Sequence, residues 1–120
     1  MSHQKTLLVV DDNGSNRLLP GLILRPLGFT VLECASGEEA IDVLSTVAVT
    51  GVLLDIRLPG MSGLDVLQRI RSDAVHRHTK VIAYTAYATT DDFDYLIEQG
   101  FDGVLLKPIK SMNLIKILAN

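Results

Sequence analysis

The 120 residues, 48% hydrophobic and 21% charged, have the size and composition of one globular domain and exclude a disordered tail or a fibrous repeat. Eleven Lys and Arg against fourteen Asp and Glu leave a net charge of −3, which argues against direct binding to nucleic acid, an affinity that rests on neutralising phosphates. No apolar run approaches the ~20 residues of a membrane helix, and the single Cys34 suits a reducing compartment. A single cytoplasmic domain over residues 1–120, with no membrane attachment, is the expectation.

The first short apolar run, 6–10, closes on Asp11, Asp12 and Asn13. Leu18, Leu19, Leu22, Ile23 and Leu27 then form a stripe at helical spacing that should stop at Gly28. Pro20 and Gly21 fall inside it, which predicts a helix that is kinked or starts late, because an interior proline removes a backbone hydrogen bond. A second run, 30–33, leads to Cys34, expected to be a small, partly buried filler. Ser36 with Glu39 has capping-box spacing ahead of Ala40, Val43, Leu44 and Val47.

The third run, 52–54, closes on Asp55, and Ser62 with Asp65, a weaker capping signal, precedes Leu64, Leu67 and Ile70. His76 and His78 flank Arg77 before the fourth run and, without a third ligand, are read as solvated surface. The fourth run, 81–84, closes on Thr85, Ala86 and Tyr87. Thr89 with Asp92, again a weaker cap, opens a helix with Phe93, Leu96 and Ile97, which Gly100 should end. Tyr95, beside that stripe, is either half-buried or part of a partner surface. The fifth run, 103–106, closes on Lys107 and Pro108, and a last helix over 111–120 carries Leu114, Ile117 and Leu118.

Most of the runs are apolar throughout, as expected of strands buried on both faces. Their alternation with helical stripes predicts an α/β fold, (βα)5, a doubly wound five-stranded parallel sheet with helices on both faces. In such a sheet ligands bind beyond the carboxyl ends of the strands. Asp11, Asp12, Asp55, Thr85 and Lys107 all stand there, contributed by four separate runs. Crowded carboxylates need a cation, and oxygen donors without nearby His or Cys favour a hard ion, Mg²⁺ or Ca²⁺, with few carboxylates and open positions suiting Mg²⁺. A lysine and a hydroxyl beside them are the parts that hold a phosphoryl group, and an aspartate can accept one as an acyl phosphate.

Over essentially its whole length the sequence resembles the receiver domain of two-component response regulators. Leu7-Leu8-Val9-Val10-Asp11-Asp12-Asn13, Leu53-Leu54-Asp55 through Leu58-Pro59-Gly60-Met61-Ser62-Gly63, Val81-Ile82-Ala83-Tyr84-Thr85-Ala86 and Leu105-Leu106-Lys107-Pro108 carry the resemblance. It implies a flavodoxin-like sheet and a signalling domain rather than an enzyme, one that promotes its own phosphorylation and dephosphorylation. Asp55 would be the phosphoacceptor, and Mg²⁺ would be held by Asp12, Asp55, the main-chain carbonyl of Arg57 and, mainly through water, Asp11. Thr85 and Lys107 would contact the phosphoryl oxygens, the Lys107–Pro108 peptide would be cis, and Tyr87 would overhang the site and tune hydrolysis. The partners implied are a sensor histidine kinase or histidine phosphotransfer protein and an output domain or protein that the sequence does not name.

One position departs from the family: Val104 stands three residues before the lysine, where an aromatic is usual. Transmission of the switch is therefore expected to run through the loop after Thr85 rather than through residue 104. Two other readings compete with an active receiver. A degenerate receiver acting only as an interaction module would have lost an acidic residue or the lysine, and all are present. An aspartyl-phosphate phosphatase would want a second carboxylate two residues after the nucleophile, where Arg57 stands.

Overall fold

The structure, a computed structural model, describes residues 5–86 and 89–119. Strands β1 (Thr6–Val10), β2 (Thr30–Cys34), β3 (Gly51–Asp55), β4 (Lys80–Thr85) and β5 (Gly103–Leu106) alternate with helices α1 (Gly14–Leu24), α2 (Gly37–Leu44), α3 (Gly63–Ser72), α4 (Thr90–Gln99) and α5 (Ser111–Ala119). All neighbouring strands pair in parallel, in the order β2-β1-β3-β4-β5. The expected (βα)5 fold is therefore present, with each strand carrying its C-terminal residues to one rim. The expected strands were one residue short at several ends, because charged or small flanking residues such as Lys80 and Gly51 still join the ladder.

Alternate strand residues feed two cores. Leu8, Val10, Val52, Leu54, Val81 and Ala83 pack with α2, α3 and α4 through Ala40, Leu67, Ile70 and Leu96. Leu7, Val9, Leu53, Ile82, Tyr84 and Leu105 pack with α1 and α5 through Leu24 and Leu114. Each fully buried Leu or Val side chain here is worth about 1.5–3 kcal/mol relative to exposure, so the strands are pinned from both faces.

The α1 stripe has the wrong phase. Pro20, Gly21 and Leu24 are buried, whereas Leu18, Leu22 and Leu27 are exposed at 48%, 59% and 56%. In a segment this rich in leucine, apolar spacing alone leaves the buried face undetermined. The helix starts ahead of Pro20, capped by the Asn13 side chain, and a 3-10 turn at Arg25–Leu27 ends at Gly28 in the left-handed region. Proline at position 20 has no N–H for the carbonyl four residues back, that of Asn16. The Tyr84 hydroxyl donates to that carbonyl instead, at 3.2 Å.

The capping signals reverse their expected ranking. Ser62 with Asp65 and Thr89 with Asp92 form complete reciprocal boxes, while Ser36 caps Glu39 N–H but the Glu39 carboxylate turns to the Ala35 N–H. Gly100 closes α4 with φ +118°, as expected.

His76 is not solvated surface. It is 6% exposed, and its Nε2 lies 2.7 Å from the Leu44 carbonyl. That carbonyl is one of the last of α2 and has no partner within its own helix. A carbonyl only accepts, so Nε2 carries the proton. Replacing His76 with Phe is expected to destabilise the fold by about 1–3 kcal/mol, the cost of an orphaned buried acceptor. Urea unfolding at neutral pH measures this, and parent-like stability would show the bond to be unimportant.

Cys34 is buried, and burial first, then the nearby Glu39, pushes its thiol up to about 11. The thiolate is the reactive form. The folded protein should therefore resist iodoacetamide at pH 8 and react only once unfolded, which mass spectrometry with and without urea reads directly.

Candidate functional site

Parallel pairing sets the rim. Asp11 follows β1, and its N–H continues the pairing with β2 by donating to the Cys34 carbonyl at 3.0 Å. Its Oδ1 accepts from the Asn13 N–H at 2.8 Å, and its carbonyl from Arg17 Nη1 at 2.9 Å. These contacts aim a fully buried carboxylate at the rim. Asp12 beside it is exposed. Asp55 ends β3, is 6% exposed, and its Oδ1 accepts from the Arg57 N–H at 3.0 Å. One ligand oxygen from each of Asp11, Asp12 and Asp55 lies within 4.8 Å of the others.

Thr85 ends β4 and is 5% exposed. Its carbonyl accepts from the Lys107 N–H at 2.8 Å, which places the lysine just beyond β5, ahead of a cis Lys107–Pro108 peptide. The Lys107 ammonium stands 2.7 Å from Asp11 Oδ2, 3.2 Å from Asp55 Oδ2 and 4.8 Å from the centre of the Tyr84 ring. It is thus a single cation shared by two buried carboxylates. Asp11 Oδ2 is enclosed without a well-directed hydrogen bond; the lysine reaches it as a charge contact.

The electrostatics follow from this enclosure. Burial is the main cause that raises the Asp55 carboxyl above its ordinary value, and Asp11 adds to it. The Arg57 N–H and the Lys107 ammonium act the other way without cancelling it. Tyr84, which pairs with Asp55 across the sheet, has its hydroxyl pushed up to about 12 by burial and then by Asp11 and Asp55, so it stays a donor. On the far side of Thr85, a cleft of about 190 Å³ lies between the β3–α3 loop and α4, lined by Ile56, Arg57, Leu64, Thr85, Asp92 and Tyr95. Tyr95, 49% exposed, forms part of its wall.

Every site residue expected from the sequence, Asp11, Asp12, Asp55, Arg57, Thr85 and Lys107, stands at this rim. Tyr87 lies outside the described residues. Two contributors were missed. Tyr84 reads as a strand residue, and only its place opposite Asp55 could have flagged it. Gly63 opens α3 against the end of β3, with its N–H donating to the Ile56 carbonyl at 3.0 Å. A Cβ there would collide with the Asp55 carbonyl and come within 2.7 Å of Ile56 Cα.

The donor set fits a small divalent cation. It is all oxygen, it is negatively charged beyond what one lysine neutralises, and it includes a buried carboxylate oxygen without a directed hydrogen bond.

Residues 7–119 match the family described as the response regulator receiver domain. The chain is 32% identical over 120 residues to the sensor histidine kinase GacS of Pseudomonas protegens, covering 98% of this chain but 13% of that protein. It is 32% identical over 114 residues to the polar-differentiation response regulator DivK of Brucella ovis, covering 95% of this chain and 93% of that one. Among solved structures, the receiver domain of a Pseudomonas aeruginosa sensor histidine kinase superposes with a TM-score of 0.86 at 31% identity, over 97% of this chain and 95% of that one. That structure holds a magnesium ion in its active-site cleft.

Proposed function

Since this chain belongs to the response regulator receiver domain family, the phosphoacceptor signalling modules of two-component systems, we propose that Asp55 is its phosphoacceptor. The observation that carries the assignment is the Lys107 ammonium held between the buried carboxylates of Asp11 and Asp55 at the sheet's C-terminal rim. The donor is a phosphohistidine of a partner kinase or phosphotransfer protein. An Asp55 carboxylate oxygen attacks phosphorus, an O–P bond forms, the N–P bond breaks, and the electron pair leaves on the imidazole.

Asp11, Asp12, Asp55 and the Arg57 main-chain carbonyl would hold Mg²⁺. When bound, the ion neutralises charge on the phosphoryl oxygens. The protein's own residues position the group. Lys107 exchanges its Asp55 contact for a phosphoryl oxygen while keeping Asp11, and the Thr85 hydroxyl donates to another oxygen. Catalysis of phosphorylation and of later hydrolysis by the domain itself is then a matter of positioning and charge. The added group brings roughly −1.5 to −2 charge to a fixed point on the rim, which biases the domain between two conformations. The signal reaches an output domain or partner protein, residues 1–120 act as one receiver unit, and the setting is cytoplasmic, where phosphodonor kinases work.

Incubation with acetyl phosphate and Mg²⁺ should add one phosphoryl group per chain, labile to hydroxylamine and mapping to the peptide that contains Asp55. No adduct, or an adduct confined to a histidine, would overturn the assignment.

A further inference from the structure

Two features look locally unfavourable. Pro20 interrupts the hydrogen bonding of α1, and Tyr84 carries a hydroxyl in a fully buried strand position. Each supplies what the other lacks, since the hydroxyl donates to the Asn16 carbonyl that Pro20 leaves without its helical partner. The ring so anchored lies against the Lys107 ammonium, 4.8 Å from its centre.

We propose that Tyr84 is a positioning residue for phosphoryl transfer: its ring seats the Lys107 ammonium, and its hydroxyl fixes that ring to the backbone of α1. The proposal rests on the assignment of Asp55 and Lys107 above. An ammonium on a flexible four-carbon stem needs walls to hold one position. Its two carboxylate contacts are unequal in permanence, because the contact with Asp55 is exchanged once that oxygen bears a phosphoryl group. The π face stays attractive whatever Asp55 carries. A leucine would fill the same space without attracting the cation. The hydroxyl bond fixes the far end of the ring, and links the lysine to the first turns of α1.

Lys107, Tyr84 and Pro20 are separated in sequence, so each link can be tested alone. In metal-free protein, the Lys107 ε-methylene protons should resonate upfield through the ring current of Tyr84. The displacement should persist in Tyr84→Phe and vanish in Tyr84→Leu. With acetyl phosphate and Mg²⁺, the initial labelling rate of Tyr84→Leu should fall by ~3- to 10-fold, the equivalent of a partly desolvated cation–π contact, and Tyr84→Phe should recover most of it. In urea unfolding, Tyr84→Phe should cost stability beside Pro20 but little in Pro20→Ala, where residue 20 regains an N–H for Asn16.

Unshifted Lys107 protons in the parent, or a folded Tyr84→Leu that labels at the parent rate, would overturn the seating. An equal cost of Tyr84→Phe in both backgrounds would overturn the anchor. Should Tyr84→Leu fail to fold, the parent's Lys107 shifts and the Pro20 cycle still decide. A parent that takes up no phosphoryl group would refute the Asp55 assignment instead, and neither the Lys107 shifts nor the cycle depends on a phosphodonor.

Discussion

In EDTA at neutral pH, Asp55→Asn is expected to unfold at a higher temperature than the parent, and with acetyl phosphate and Mg²⁺ to take up no phosphoryl group. The second effect is absolute, because an amide oxygen is no nucleophile toward phosphorus under these conditions. The first follows from the carboxyl being raised above its ordinary 3.8, chiefly by burial. A carboxyl that holds its proton more tightly when folded costs stability once ionised, so the parent's stability declines as pH rises from 3.8 through the folded value. Asparagine removes that cost. Its oxygen still accepts from the Arg57 N–H, and Lys107 keeps Asp11, so little is lost in exchange. The gain should be about 1 kcal/mol, or ~3–6 °C for a domain of this size. It should shrink when both proteins are melted in acid, where the parent's Asp55 is protonated in both states. Adding Mg²⁺ should reverse the order, since a ligand bound by the folded parent stabilises it by mass action. A variant less stable than the parent at neutral pH in EDTA would mean that pairing with Lys107 outweighs burial.

Gly63→Ala should damage both stability and transfer. Its new methyl meets the main chain of Asp55 and Ile56 rather than a flexible side-chain tip. Relief requires α3 to lift from the end of β3 or the Asp55 peptide to rotate. Overpacking of this kind costs about 1–3 kcal/mol. The same shift tilts the phosphoacceptor, and a misplacement near 1 Å can cost about 100-fold in rate, so a loss of at least ~10-fold in labelling rate is expected. Urea unfolding and acetyl phosphate labelling measure the two effects. Parent-like values in both would show the junction to be looser than its geometry indicates.

The contrast between these positions shows what was legible in the sequence. The strands and the rim were readable because parallel strands are apolar throughout and the polar residues follow them, whereas the order β2-β1-β3-β4-β5 came from the structure. Asp11, Asp55, Thr85 and Lys107 announce themselves by type and place. Gly63 and Tyr84 do not, since their roles are contacts with residues far away in sequence. His76 was misread for a similar reason: its acceptor, the Leu44 carbonyl, is a backbone atom 32 residues away. The face of α1 was unreadable because leucines surround it, and the buried side is built from Pro20 and Gly21, which carry little apolar signal. Val104, 8% exposed, packs in the core shared with α2, α3 and α4. The loop expected to transmit the switch in its place begins at Thr85, and Tyr87 and Ala88 lie outside the described residues.

The complete capping boxes of α3 and α4 have a consequence for anion selectivity. Both helices begin on the rim that holds Asp55, and an open helix N-terminus is an attractive seat for phosphate or sulfate. Here Ser62 and Thr89 accept from the Asp65 and Asp92 N–H groups, the Gly63 N–H goes to the Ile56 carbonyl, and the Asp65 and Asp92 carboxylates offset the positive helix ends. The Thr89 N–H and hydroxyl hold the Asp92 carboxyl below the ordinary carboxylate range, so this negative charge persists into mild acid. Both helix ends are therefore poorer seats for free phosphate than an uncapped helix would be. Under the proposed assignment, a phosphoryl group at this rim is held by its covalent bond to Asp55 and by Lys107, not by a helix end.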